Sequence, residues 1–117
     1  MALDEVHHRL FIGTRSPARL VVIDTESGKQ ITTVNISGDT DDLFFDQENK
    51  RVYVSTGEGN IDVISQIDAD HYQALAKIAT ASGARTSLFV PDLHRLYLAV
   101  PHRGSQEAAV RVYDTEK

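Results

Sequence analysis

An all-β fold built from recurring four-stranded antiparallel sheets is what this 117-residue sequence predicts, and three observations predict it. A basic pair followed by three apolar residues with an aromatic in the middle occurs three times. The copies are His8-Arg9-Leu10-Phe11-Ile12, Lys50-Arg51-Val52-Tyr53-Val54 and His94-Arg95-Leu96-Tyr97-Leu98, spaced by 42 residues (Arg9 to Arg51) and 44 residues (Arg51 to Arg95). The flanking pieces recur as well, with a short strand and a turn before each copy and an apolar strand after it. Finally, Leu10-Phe11-Ile12 and Leu96-Tyr97-Leu98 are apolar without alternation, as in strands covered on both faces. One supersecondary unit per forty-odd residues is the period of a four-stranded propeller blade. The fold class expected is therefore all-β, a β-propeller segment of about 2.75 antiparallel blades. Its single partial domain divides into blade 1 (about 1–38), blade 2 (about 39–82) and an incomplete blade 3 (about 83–117).

Each strand follows from its place in the repeat. First strands are Ala2-Leu3-Asp4, Leu43-Phe44-Phe45-Asp46 and Leu88-Phe89-Val90, the last running into Pro91-Asp92. They end in residues suited to tight turns. Third strands are Leu20 to Asp24, Ile61 to Ser65 and Val110 to Asp114. Polar residues within Ile61-Asp62-Val63-Ile64 and Val110-Arg111-Val112-Tyr113 place those strands nearer the rim. Fourth strands are Gln30 to Ile36 and Tyr72 to Ile78, and the third unit reaches Lys117 before its own, giving about eleven strands. Tyr72 to Ile78 is rich in helix formers, but it aligns with the β-branched Ile31-Thr32-Thr33-Val34, which makes it a strand.

The pattern x-D-x-x-x-R-[VL]-[YF]-[VIL], followed by an apolar strand ending in Asp, resembles the YVTN (YncE-like) β-propeller repeat. Lys50-Arg51-Val52-Tyr53-Val54-Ser55 and Leu20-Val21-Val22-Ile23-Asp24-Thr25 carry the resemblance best, and it covers nearly the whole chain. It implies a seven-bladed ring, often exported, whose members serve varied binding roles. This chain is much shorter than such a ring. On that reading it is the C-terminal part of a larger ring, with its missing fourth strand supplied by the parent's N-terminus. Self-association into a ring is the alternative, because neither end reads as a cap and repeat arrays need caps or neighbours.

Composition narrows the function classes. The net charge of −5, with no run of Lys or Arg, argues against a nucleic-acid partner. No cysteine is present, which excludes disulfides, thiolate metal sites and thiol nucleophiles. Met1 to Arg9 has no signal-peptide pattern, and no apolar run is long enough for a membrane helix. Ser55, Ser87 and Ser105 lack a Gly-x-Ser-x-Gly setting, and Gly57-Glu58-Gly59 lacks the Lys-Ser/Thr of a phosphate loop, reading instead as a hairpin turn with Asn60. No catalytic residue, cofactor or metal site is assigned.

Candidate binding residues come from the loop register. Gly13–Ala18, Ser37–Asp42, Thr56–Gly59, Thr80–Thr86 and Pro101–Ala108 share the face on which propellers usually bind ligands. Asp39, Asp41 and Asp42 are the densest acidic group there, suited to a hard cation or to backbone N–H groups of the turn. Arg15, Arg85, His102 and Arg103 can clamp a carboxylate or phosphate, or pair with those same aspartates. His7, His8 and His94 fall in first-turn positions on the opposite face. Asp68, Asp70 and His71 read as a solvated hairpin in preference to a metal site. The function expected is a binding or scaffolding module for an unknown protein or small-molecule partner. The alternative is a hydrolase or lactonase-like propeller with an axial metal or carboxylate site, which no motif supports.

Overall fold

The computed structural model describes residues 1–116. Eleven strands run in chain order: β1 (Ala2–Asp4), β2 (Arg9–Arg15), β3 (Ala18–Asp24), β4 (Gln30–Asn35), β5 (Thr40–Asp46), β6 (Arg51–Thr56), β7 (Asn60–Asp68), β8 (His71–Ala79), β9 (Thr86–Val90), β10 (Arg95–Val100) and β11 (Ala109–Asp114). They form three antiparallel meanders, β1-β2-β3-β4, β5-β6-β7-β8 and β9-β10-β11, called here sheets 1, 2 and 3.

The three copies of the repeat start their second strands in the same way. His8, Lys50 and His94 all have positive φ (57°, 56° and 53°), and the strand resumes at Arg9, Arg51 and Arg95. The carbonyl of each accepts a backbone bond from the end of the third strand: Thr25 to His8 (2.9 Å), Gln66 to Lys50 (2.8 Å) and Thr115 to His94 (2.8 Å). In sheets 1 and 2 a buried aspartate anchors the first turn. Asp4 accepts from the His7 N–H, and Asp46 accepts from the Asn49 N–H (3.1 Å) and the Tyr53 hydroxyl (2.6 Å). In sheet 3 the corresponding residue is Val90, and a 3₁₀ turn at Pro91–Leu93 replaces the aspartate anchor. Proline fixes φ without any side-chain bond.

Packing repeats as regularly as the hairpins. Phe11 from the middle of β2 packs on Phe45 of β5, with centroids 5.1 Å apart, and Tyr53 from the middle of β6 packs on Phe89 of β9 at 5.3 Å. The first core gathers Phe11, Leu20, Val22, Leu43, Val52, Val54 and Ile64 between sheets 1 and 2. The second gathers Tyr53, Ile61, Val63, Phe89, Leu96, Leu98 and Val100 between sheets 2 and 3. Sheet 2 is thus apolar on both faces, which is why β6 reads as an unbroken apolar run. Polar bonds cross the same interfaces. Gln66 Nε2 donates to Asp4 (2.9 Å), Asn49 Nδ2 donates to the Thr115 carbonyl (2.7 Å), and Arg9 donates to the Ala69 carbonyl (3.0 Å) and to Asp70 (2.6 Å).

β7 is the third strand of its sheet as expected, but its polar Asp62 is no mark of exposure: the carboxylate is buried and accepts from the Ser37 N–H and from Ser37 Oγ (2.9 Å). One strand boundary also needs correction. β5 begins at Thr40, not Leu43, with a register irregularity between Thr40 and Leu43. Asp41 and Asp42 therefore belong to a bulged strand start and not to a loop.

The buried polar anchor makes stability sensitive to acid. Burial pushes the Asp4 carboxyl upward, but hydrogen bonds from the Gln66 and His7 side chains and the His7 N–H outweigh it, and the net position lies below the ordinary 3.8. A depressed carboxyl stabilises the fold above its unfolded value and loses that contribution as pH falls through the folded one. Urea midpoints should accordingly fall as pH drops below about 3.8, and Asp4→Asn should flatten that part of the profile. Phe11→Ala, which empties a fully buried site in the first core, should lower unfolding free energy by about 3–5 kcal/mol in the same melts.

Candidate functional site

The face carrying the β2–β3, β4–β5, β6–β7, β8–β9 and β10–β11 connections is stitched together by its own backbone. Gly57 N–H donates to the Asp39 carbonyl (2.7 Å), Gly83 N–H to the Gly57 carbonyl (2.8 Å), and Thr80 N–H to the Gly59 carbonyl (2.7 Å). These bonds bring the connections of sheets 1, 2 and 3 side by side. Gly57 permits a close approach: a Cβ there would lie 2.0 Å from Asp39 Oδ2, and the side chain would have to turn aside. Gly83, at φ +79°, sits under the Arg103 guanidinium, whose Cζ would be 2.4 Å from a Cβ.

Asp39 is the centre of the charged group. Arg85 Nη1 donates to its Oδ2 (3.1 Å), and Arg15 Nη1 lies 3.7 Å from Oδ1. Arg15 comes from the end of β2 and Arg85 from the residue before β9, so one carboxylate gathers guanidinium groups from sheets 1 and 3. Arg15 also donates its Nε to the Thr40 carbonyl (2.8 Å), which fixes the side chain's approach. Two guanidinium groups facing one carboxylate leave one positive charge in excess and several N–H donors unused.

The other predicted residues are arranged around this centre with different degrees of engagement. Asp42 Oδ2 accepts the Ser87 N–H (2.8 Å) and so ties β5 to β9. Arg103 donates to Ser82 Oγ (3.4 Å) and is paired through its backbone with Gln106. Gln106 Nε2 reaches the Ser82 carbonyl (3.0 Å) and the Pro101 carbonyl (2.9 Å). The 101–108 connection is therefore tied across the neighbouring loop. Asp41 and His102 are exposed on this side, and among the described residues neither joins the Arg15–Asp39–Arg85 group. No cluster of three or more potential metal ligands occurs among the described residues. On the opposite side, His71 is bonded to Asp68 (2.7 Å), which raises its pKa, and Arg9 holds Asp70.

Sequence reasoning missed three sets of contacts. Glu58 accepts the Gly38 N–H (3.3 Å) beside Asp39. Ser37, Asp62 and Asn60 form a buried network below the β4–β5 connection. Ser55 and Ser87 pair their hydroxyls between sheets 2 and 3. Ser55 follows Arg51 by four residues and Ser87 precedes Arg95 by eight, so the repeat alignment does not bring them together.

Comparison with solved structures decides the architecture. Hydrazine synthase of Kuenenia stuttgartiensis superposes with a TM-score of 0.82 at 20% identity, over 97% of this chain and 32% of that one. The β-propeller domain of Cps50 (Swd1) from Myceliophteria thermophila superposes with a TM-score of 0.57 at 18% identity, over 100% of this chain and 43% of that one. The chain is a β-propeller segment. It spans well under half the length of either structure. No family model matches the propeller segment, and no curated protein does.

The half-exposed Asp39 pairs belong to the class of ion pairs that contribute little to stability. Asp39→Asn should therefore shift the urea midpoint by less than about 1 kcal/mol equivalent. Gly57→Ala should likewise shift the midpoint by less than about 1 kcal/mol equivalent, because the atoms nearest its new Cβ are the movable ends of the Asp39 and Arg85 side chains, which turn aside.

Proposed function

We propose that the segment is a YVTN-type propeller module that binds a partner without catalysis. Its ligand face is formed by Arg15, Asp39, Asp41, Asp42, Arg85, His102 and Arg103. The observation that supports this reading is Asp39 shared between Arg15 and Arg85. A carboxylate or phosphate group has a natural place there. It takes the guanidinium N–H groups that Asp39 leaves free, and Asp39 keeps the two arginines oriented in its absence. Arg103, held on Gly83 beside the same loops, adds a third guanidinium to a face that also carries Asp41 and Asp42, and the tied 101–108 connection supports it. The partner is accordingly an anionic small molecule or a protein surface presenting such a group.

Citrate and inorganic phosphate are suitable probes, titrated at low ionic strength and followed by calorimetry. Saturable binding that disappears in Arg15→Ala/Arg85→Ala, with the far-ultraviolet spectrum and urea midpoint retained, is the expected result. Asp39→Asn should strengthen binding of both probes, since it removes the competing internal carboxylate. Absence of saturable binding in the parent chain, or loss of the fold in the double variant, would count against the reading.

A further inference from the structure

The two internal interfaces of this chain are the same interface repeated, and its two outer faces are the unmatched halves of it. In each internal interface the residue at the middle of a second strand (Phe11, Tyr53) lies on the phenylalanine of the next sheet's first strand (Phe45, Phe89). Tyr97 occupies the first of these positions on the outer face of sheet 3. It is flanked across the strands by Leu88 and Val112, with the Ala99–Val110 pair alongside. Leu88, Val110 and Val112 are 57%, 68% and 54% exposed. Leu3, 50% exposed, occupies the second position on the outer face of sheet 1, opposite Leu10 and through it Ile23. A contiguous apolar surface of this kind marks an interaction site.

We infer that these two faces bind each other between copies of the chain, sheet 3 of one copy stacking on sheet 1 of the next. The two faces continue the geometry of the internal interfaces, and a second copy brings the matching half without a buried charge to satisfy. Across the internal interface Asp4 is buried and needs the Gln66 amide as donor. The residue corresponding to Asp4 in sheet 3 is Val90, and the residue corresponding to Gln66 in sheet 1 is Thr25, so this contact carries neither a buried carboxylate nor an amide to satisfy. Arg9 reaches across to Asp70 in the next sheet's β7–β8 turn (2.6 Å). Arg95 stands at the same place on sheet 3, exposed, and the corresponding β3–β4 turn of sheet 1 carries both Glu26 and Lys29, so no charge match is built into this corner. The contact is heterologous, and such contacts close into rings when the rotation permits. Two copies supply six sheets, inside the range of about four to eight blades that propellers use.

Light scattering and sedimentation of the 117-residue chain at micromolar concentration test this. The expected species has twice the mass of one chain. Val112→Lys and Leu3→Lys, both at exposed positions, should each yield folded monomers, and an equimolar mixture of the two should regain a dimer through the one contact that keeps both faces intact. Arg15→Ala/Arg85→Ala should remain dimeric, which separates failure of this inference from failure of the ligand-face reading. A monomeric parent chain, or aggregation without defined stoichiometry, is what further blades of a longer protein covering these faces would produce, and either overturns the inference. A dimer that survives Leu3→Lys but not Val112→Lys is a symmetric contact of sheet 3 with itself, and it overturns the inference equally.

Discussion

Everything in this fold leans on aromatic side chains interlocking across neighbouring sheets, Phe11 with Phe45 and Tyr53 with Phe89. A sheet apolar on both faces is unstable alone, because each square ångström left wet forgoes about 25 cal/mol. Stacking sheet on sheet is the arrangement that satisfies all of them with one recurring contact. The pitch of forty-odd residues follows, since each unit must bring its second strand to the same depth. The polar interface bonds are subordinate to that stacking. Asp4, Asp46 and Asp62 are buried, yet each finds its donors close by in the turn or in the adjoining sheet.

The charged face is a by-product of the same geometry. Stacking brings the end of β2 and the starts of β5 and β9 together, and the glycine at position 57 lets the Asp39 carboxylate settle directly on a neighbouring backbone. Arg15 and Arg85 then converge from sheets that share no hydrogen-bonded strand. A rigid support of this kind suits recognition, because the side chains need little reordering when a partner arrives.

The sheets were legible in the sequence because their signals are local and repeated. Arg9, Arg51 and Arg95 mark the same strand start, and β8 is recognisable only through its alignment with β4, since its Ala, Leu and Lys content alone suggests a helix. The loops on the charged face were legible as a set, and with them Arg15, Asp39 and Arg85 as neighbours. What escaped depended on contacts distant in sequence. Asp62 reads as an exposed residue until Ser37, 25 residues away, is placed beside it. The strand start at Thr40 was hidden by its bulge, which breaks the alternation used to find strands. The 101–108 connection reads as a free excursion, and only Gln106 reaching the Ser82 carbonyl shows that it is fastened.

Every hydrogen-bonded strand neighbour in this protein is also its neighbour in sequence. No strand has to wait for a remote stretch of chain before its ladder can form, so loop-closure entropy is small within each sheet. The unit of cooperative opening is then a whole meander. Sheet 2 packs on both neighbours, whereas sheets 1 and 3 each rest on it alone, so opening should begin at one outer sheet and leave a stacked pair behind.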